Sequence, residues 1–180
     1  MAKQFSELND DHIAFIGNQH LFFVGSAAEI GRVNVSPKGM DSLRVIGPNR
    51  ILWVNLSGSG NETAGHLQRV NRMTLMWCSF SKQPLILRCF GTAETVHRDD
   101  AGWDALAEGF PEHRSARQIF DLRLDLVQTS CGWAVPFMDY AGERPNMQNW
   151  VDNKSDAQIR ATWARDNRET IDGLPTGIPV

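Results

Sequence analysis

Apolar and polar residues alternate along several segments of this chain, and the alternation predicts strands. In residues 118–129 every second position is apolar and its neighbours are mostly charged or polar, which is the period of a strand with one buried face. These apolar positions are Phe120, Leu122, Leu124 and Leu126. The same period places Asp121 and Asp125 on the solvent face. Residues 32–39 alternate in the same way and predict a second half-buried strand.

Other apolar runs, and the turn residues between them, predict the remaining elements. Strands are expected in residues 21–27, 43–56, 73–80 and 85–96, with a turn at Gly47-Pro48-Asn49 and a bend at Gly91. Helices are expected at about residues 4–19 and 146–166, with shorter ones at 64–72 and 99–108 and an irregular tail from Arg168. The βαβ alternation of a doubly wound sheet is absent. We therefore expect a mainly β (α+β) antiparallel barrel with peripheral helices, in a single domain over residues 1–180.

Composition narrows the functional classes. The net charge of −3 argues against a large nucleic-acid surface, which needs a basic face. Three cysteines without C-x-x-C spacing indicate reduced thiols in the cytoplasm, and neither they nor the five scattered histidines have the spacing of a metal site. No apolar run is long enough for a secretory signal or a membrane span. A soluble cytoplasmic protein is expected.

The segment with the clearest chemical signal is residues 51–67, where a strand runs into Ser57-Gly58-Ser59-Gly60 and a helix starts at about Asn61. Glycines allow backbone N–H groups to converge, and a helix N-terminus adds unpaired donors and a partial positive charge. Together they predict a phosphate-binding loop. The spacing Ser59-x-x-Glu62 also fits a capping box, which needs no ligand. Spacing alone leaves both interpretations open, and neither a Walker A nor a G-x-G-x-x-G motif is present.

Four motifs in order carry a family resemblance: RVNVSPKG (32–39), LWVNLSGSGNETAGHL (52–67), NRMTLMW (71–77) and LILRCFGTAE (85–94). This order resembles the pyridoxamine 5'-phosphate oxidase-like family of FMN-binding split barrels, over roughly residues 20–97. The segment QTSCGWAVPFMDYAGER (128–144) looks like a signature of one branch of that family. The resemblance implies an antiparallel split β-barrel and a homodimer that holds each flavin mononucleotide (FMN) at the subunit interface.

The resemblance also implies roles for individual residues. The strand at 32–37 is expected to lie along the flavin and to hydrogen-bond its ring and ribityl chain, with Leu56 and Ser57 ending the next strand beside it. The triplet at 61–63 falls where the family has Ser-Arg-Lys, which holds the FMN phosphate. The cofactor-binding residues so implied are Arg32, Val33, Asn34, Val35, Ser36, Lys38, Leu56, Ser57, Asn61, Glu62 and Thr63.

The chain departs from the family pattern at three places. Glu62 and Thr63 replace the two cations, so the phosphate is expected to be held by amide N–H groups, by the side chains at 61 and 63 and by the helix dipole, with Glu62 turned away. Arg32, Lys38 or an arginine of a second subunit could supply the missing charge. The family's glutamine on the strand at 85–90 is Ile86 here, and the Arg-x-His motif of vitamin B6 oxidases is absent after residue 144. The substrate is therefore not defined by the sequence.

Two residues are candidates for the substrate end of the site. Lys38 could stabilise a reduced, anionic flavin by its charge, or could be a solvated turn lysine. Trp133 could stack on a flat substrate or on the flavin, or could close the end of the barrel. Cys131 has no neighbouring His or Lys in sequence to lower its pKa, which argues against a nucleophilic thiol. No catalytic residue is identified.

The leading functional hypothesis is an FMN-dependent oxidoreductase acting on a small molecule. Flavin chemistry needs no dedicated protein acid or base, in agreement with the lack of a catalytic constellation. The alternative is a non-catalytic module that binds or senses a flavin or haem. A third possibility is a barrel that has lost its ligand and serves as a structural dimer.

Overall fold

One antiparallel sheet of eight strands forms the centre of the molecule in a computed structural model, which describes residues 2–179. The strands follow the order β3-β2-β6-β7-β8-β5-β4, and β1 pairs with β8. They are β1 Lys3–Phe5, β2 Phe22–Ser26, β3 Asn34–Lys38, β4 Leu43–Gly47, β5 Arg50–Leu56, β6 Met73–Cys78, β7 Ile86–His97 and β8 Ala116–Ser130. The antiparallel, mainly β architecture agrees with the expectation from the alternating pattern.

The main core lies on one face of the sheet, where three large aromatic residues are fully buried: Trp53, Trp77 and Phe120. The rings of Trp53 and Phe120 stack with centroids 4.7 Å apart. Leu52, Val54 and Ile119 form a second cluster on the opposite face. Both faces of β5 are therefore covered, and its central residues are all buried.

A β-bulge interrupts the alternation of β8. The β7–β8 register shifts between Phe90 and Gly91, and a Cβ atom on Gly91 would lie 1.9 Å from the carbonyl oxygen of Arg123. Only glycine permits this approach, which confirms the expected irregularity at Gly91. Beyond the bulge, the odd-numbered residues of β8 face the core in place of the even-numbered ones. Val127 is therefore buried and Leu126 is only half-buried.

The predicted solvent face of β8 is correct for Asp125 and wrong for Asp121. Asp121 is only 7% exposed, and its carboxylate accepts hydrogen bonds from Arg50 Nε at 2.9 Å and from Arg50 Nη2 at 2.8 Å. The cross-strand arginine pairs with the carboxylate and covers it, which the spacing along β8 cannot reveal.

The helices differ from expectation mainly at their ends. They are α1 Asp10–Gly17, α2 Glu62–Arg69, α3 Trp103–Ala107, α4 Asn146–Asp152 and α5 Asp156–Asp166. The helix expected at 4–19 starts later because β1 occupies its beginning and Asn9 caps α1, accepting the His12 N–H at 2.9 Å. The single helix expected at 146–166 is two helices, since Ser155 and Gln158 form a capping box that starts α5.

Residues 131–144 follow β8 without forming a helix or strand. Within the part of the chain that the structure describes, no helix has the length and apolarity needed to cross a bilayer.

Candidate functional site

A cavity of about 750 Å³ lies between β3, the end of β5, the loop 57–60, the start of α2 and the C-terminal segment, by which we mean residues 163–176. All the cofactor-binding residues implied by the sequence line it, apart from Val35. They are Arg32, Val33, Asn34, Ser36, Lys38, Leu56, Ser57, Asn61, Glu62 and Thr63. Residues far apart in sequence therefore meet at one site.

The alternation of β3 explains which of its residues reach the cavity. Asn34, Ser36 and Lys38 share one face of the strand and line the cavity. Val35 points to the other face and is 65% exposed. Trp133 is 83% exposed and does not line the cavity of its own chain. The structure thus places neither Val35 nor Trp133 at this site.

The glycine loop leads into α2 without a capping box. Helix α2 starts at Glu62, and no side chain of the described residues caps it. The Glu62 carboxylate instead accepts the N–H of Ile171 at 3.1 and 3.2 Å. It also lies beside Gly60, where an added Cβ atom would be 3.0 Å from Glu62 Oε1, so it bridges the glycine loop and the C-terminal segment. The first-turn N–H groups of α2 consequently have no side-chain cap and can bind an anion.

Asn61 and Thr63 are both buried at the start of α2 but differ in their contacts. The amide of Asn61 is engaged within the protein, since Asn55 Nδ2 donates to it at 3.4 Å and its own Nδ2 donates to the Asn167 carbonyl oxygen at 3.5 Å. The hydroxyl oxygen of Thr63 accepts from Ser26 and from Asn34. Its proton remains free to be donated to a ligand. Asn61 therefore positions the loop, and Thr63 can contact a ligand directly.

Arg117 is a cavity residue that the sequence did not reveal. The β5–β8 register shifts between Asn55 and Leu56, which pair with Gln118 and Ala116, so Arg117 is the extra residue of a bulge. Bulges commonly redirect a side chain next to a functional site. The side chain of Arg117 is 2% exposed and lines the cavity beside the glycine loop.

The guanidinium of Arg117 contacts only neutral oxygens. Its Nη1 donates to Asn167 Oδ1 at 2.5 Å and its Nη2 to the Gly60 carbonyl oxygen at 2.7 Å. Its Nε has no partner among the described residues, and none of their carboxylates lies within 4.0 Å of the guanidinium nitrogens. Burial lowers the pKa of Arg117 to about 10, so it remains charged at neutral pH.

Lys38 is a second cation at the same cavity. Its Nζ lies 5.3 Å from the ring centroid of Trp53, a cation–π distance. Burial, and secondarily the charge of Arg117, lower the pKa of Lys38 to about 8. Because burial disfavours the charged form of both side chains, an anion in the cavity would stabilise both cations.

The C-terminal segment packs against the loop 57–60 and hydrogen-bonds to it. Trp163 Nε1 donates to Ser57 Oγ at 2.7 Å, and Asn167 Nδ2 donates to the Gly58 carbonyl oxygen at 3.0 Å. Asp166, Glu169, Thr170 and Ile171 line the cavity. Asp166 forms an ion pair with Arg165 at 2.6 Å, and Arg32 pairs with Asp172. The sequence predicts a helix up to residue 166 and an irregular tail from Arg168, and no motif in either points to this role.

Sequence comparison places these residues in a family. A family model described as pyridoxamine 5'-phosphate oxidase matches residues 8–131. The pyridoxamine 5'-phosphate oxidase family protein ustO of Aspergillus flavus is 32% identical over 192 residues, covering 95% of this chain and 76% of that protein. The chain belongs to the pyridoxamine 5'-phosphate oxidase family.

Solved structures confirm the split-barrel fold of this family member. A pyridoxamine 5'-phosphate oxidase candidate from Lactobacillus delbrueckii superposes with a TM-score of 0.56 at 21% identity, covering 68% of this chain and 94% of that one. HupZ from Group A Streptococcus superposes with a TM-score of 0.51 at 16% identity, covering 66% of this chain and 91% of that one. At these identities the likeness concerns the fold alone.

Proposed function

We propose that the cavity binds one FMN per subunit and that the chain is an FMN-dependent oxidoreductase. The observation that carries this proposal is the arrangement of charges in the cavity, whose wall also holds the carboxylates of Glu62, Asp166 and Glu169. It brings two cations, Lys38 and Arg117, to the uncapped N-terminus of α2, and neither cation forms an ion pair with another described residue. Such a site favours a phosphorylated ligand.

The polar face of β3 supports an elongated ligand. Asn34 donates to Thr63 at 3.4 Å, so the strand begins beside α2. Ser36 and Lys38 follow on the same face. A phosphate at α2 would leave the ribityl chain and the flavin ring to lie along β3 toward Lys38.

A bound flavin supplies hydride or electron-pair transfer through its own ring. The protein's part is then to orient the ring, to exclude water and to stabilise negative charge on it. Lys38 can do the last of these because its ammonium lies in a half-buried position over Trp53.

A homodimer with FMN at the subunit interface is part of the proposal. Val33 and Ile171 line the cavity and are largely exposed, so the rim has apolar surface available to a second copy. The segment 131–144 also exposes large apolar side chains: Trp133, Phe137, Met138 and Tyr140. Trp133, which is outside its own cavity, would in this arrangement be available to the partner's substrate cleft.

The test is the absorption spectrum and mass of the ligand that co-purifies, followed by titration of the ligand-free protein with FMN. We expect flavin bands and saturable FMN binding. A colourless protein that takes up no FMN would contradict the proposal. Bleaching by a reduced nicotinamide and reoxidation by a defined acceptor would distinguish an enzyme from a non-catalytic flavin protein, and a Soret band would indicate haem instead.

A further inference from the structure

We propose that Arg117 holds the FMN phosphate in place of the family's Arg-Lys pair, and that Asn167 positions it. This inference depends on the proposed function and assigns to one residue the charge that Glu62 and Thr63 cannot supply. Both residues lie outside the loop 57–60 and the triplet 61–63, where the sequence predicts the phosphate ligands.

Burial without a counter-charge is the first argument. Charged side chains are rarely buried this completely unless they are paired, because an unpaired buried ion loses its hydration. Arg117 has five N–H donors, and only two of them have partners among the described residues, both neutral oxygens. A phosphate would supply the missing charge and accept the remaining donors. The bound phosphate, and no contact formed on folding, would then offset the free energy that Arg117 loses when it is removed from water.

The position of Arg117 is the second argument. Its Nη2 contacts the carbonyl oxygen of Gly60, two residues before the first residue of α2. The guanidinium and the first-turn N–H groups of α2 therefore flank the same loop. An anion at this helix N-terminus would meet both sets of donors.

The other candidate cations are less suited to this role. The Arg32 side chain is largely exposed, and Asp172 already neutralises its charge. Lys38 lies over Trp53, four residues beyond Asn34, which is the β3 residue that contacts α2 through Thr63. Of the three cations that line the cavity, Arg117 alone contacts the glycine loop.

Asn167 links the arginine to the loop. It is fully buried, accepts from Arg117, and donates to the Gly58 carbonyl oxygen. Its own carbonyl oxygen accepts from Thr176 Oγ1 at 2.6 Å. Asn167 lies beyond residues 8–131, where the family model matches. The C-terminal segment therefore supports the proposed phosphate site through Asn167, which is neutral and acts by holding Arg117 against the loop.

The experiment compares FMN with riboflavin, which lacks the phosphate, in fluorescence titrations of the ligand-free protein. Arg117→Met should weaken FMN binding by about tenfold to 100-fold, the usual effect of losing a charge-assisted hydrogen bond, and should leave riboflavin binding unchanged. Arg117→Lys should give a smaller, FMN-specific loss. Arg123→Met is the matched control, because Arg123 is on the same strand, is 58% exposed and does not line the cavity.

A purely structural role for Arg117 predicts different results. It predicts equal losses of FMN and riboflavin binding, together with a lower denaturation midpoint for Arg117→Met. Our inference predicts an unchanged or higher midpoint without ligand, since an uncompensated buried charge is removed. If Arg117→Met does not fold, Arg117→Lys replaces it in the test. A lower ratio of FMN to riboflavin affinity in that variant supports the inference, and an unchanged ratio contradicts it.

Asn167→Ala tests the positioning role. It should lower FMN affinity in the wild-type background and have little further effect on the FMN-to-riboflavin ratio once Arg117 is Met. An unchanged FMN affinity in Arg117→Met would overturn the inference. A wild-type protein that binds neither flavin would contradict the proposed function itself.

Discussion

The ammonium group of Lys38 lies over the indole of Trp53, with Nζ 5.3 Å from the ring centroid. This contact lets the lysine stem be buried beside the main core while the charge faces the cavity. The buried position also makes Lys38 sensitive to pH. Burial and the nearby charge of Arg117 lower its pKa to about 8, from 10.5.

The first prediction concerns the pH dependence of stability. Between pH 8 and 10.5 the unfolded chain keeps a proton on Lys38 that the folded chain has lost, so this group makes the free energy of unfolding rise with pH in that window. Urea unfolding at about pH 7.5 and about pH 10, on either side of the folded pKa, measures the rise. In Lys38→Met the free energy of unfolding should rise less over this pH range, because the other titrating groups are present in both proteins and only the contribution of Lys38 is lost. Identical pH dependence in the two proteins would contradict the lowered pKa of Lys38.

The second prediction concerns Glu62. Glu62→Gln keeps an acceptor for the Ile171 N–H but removes a negative charge from the cavity wall. Since a half-exposed charge typically contributes up to about 1 kcal/mol, FMN affinity should rise about two- to fivefold. Calorimetric titration with FMN measures this change. Glu62→Ala is the comparison variant, because it also removes the acceptor and should lower stability as well. Weaker FMN binding in Glu62→Gln would show that the carboxylate helps the ligand.

The local cues of the site could be predicted from the sequence, because they depend on short spacings. The alternation of Asn34 and Ser36 fixes which side of β3 is polar, and the glycines of the loop 57–60 mark the approach to α2. Family resemblance added the expectation that these two segments meet. The spacing left open whether Ser59 and Glu62 form a capping box. The contact of Glu62 with Ile171, which depends on tertiary structure, leaves α2 without one.

Arg117 and the C-terminal segment could not be predicted, because their roles depend on long-range pairing. The bulge opposite Asn55 and Leu56 turns Arg117 into the cavity, and nothing in the residues around position 117 specifies that register shift. The sequence predicts the irregularity at Gly91, but it does not show that the register shift there moves burial from Leu126 to Val127. Period-two patterns describe a strand correctly only until its partner interrupts the register.

The third prediction tests the bulge at Gly91. A methyl group there would lie 1.9 Å from the Arg123 carbonyl oxygen, so both central strands would have to move. Gly91→Ala should lower the free energy of unfolding by about 3 kcal/mol or more. Gly47→Ala is the matched control, since a methyl group on Gly47 would have open space for 4 Å around it beyond its chain neighbours, and its effect should stay within about 0.5 kcal/mol. Equal effects in urea unfolding would mean that the bulge tolerates a side chain.

The last prediction concerns the proposed dimer and uses the exposed segment 131–144. Trp133 contributes little to the core of its own chain because it is 83% exposed, so Trp133→Glu should leave the unfolding transition of a monomer nearly unchanged. If this segment lies in the subunit interface, a buried glutamate without a partner would be costly there, and the dimer should dissociate at micromolar concentration. Sedimentation equilibrium measures the change in mass. Ile46→Glu, at another exposed apolar residue on β4, is the control and should leave the association unchanged. The FMN affinity of the dissociated variant should fall as well, because Val33 and Ile171 at the cavity rim would lose their cover. A wild-type chain that sediments as a monomer with full FMN affinity would exclude a site shared between subunits.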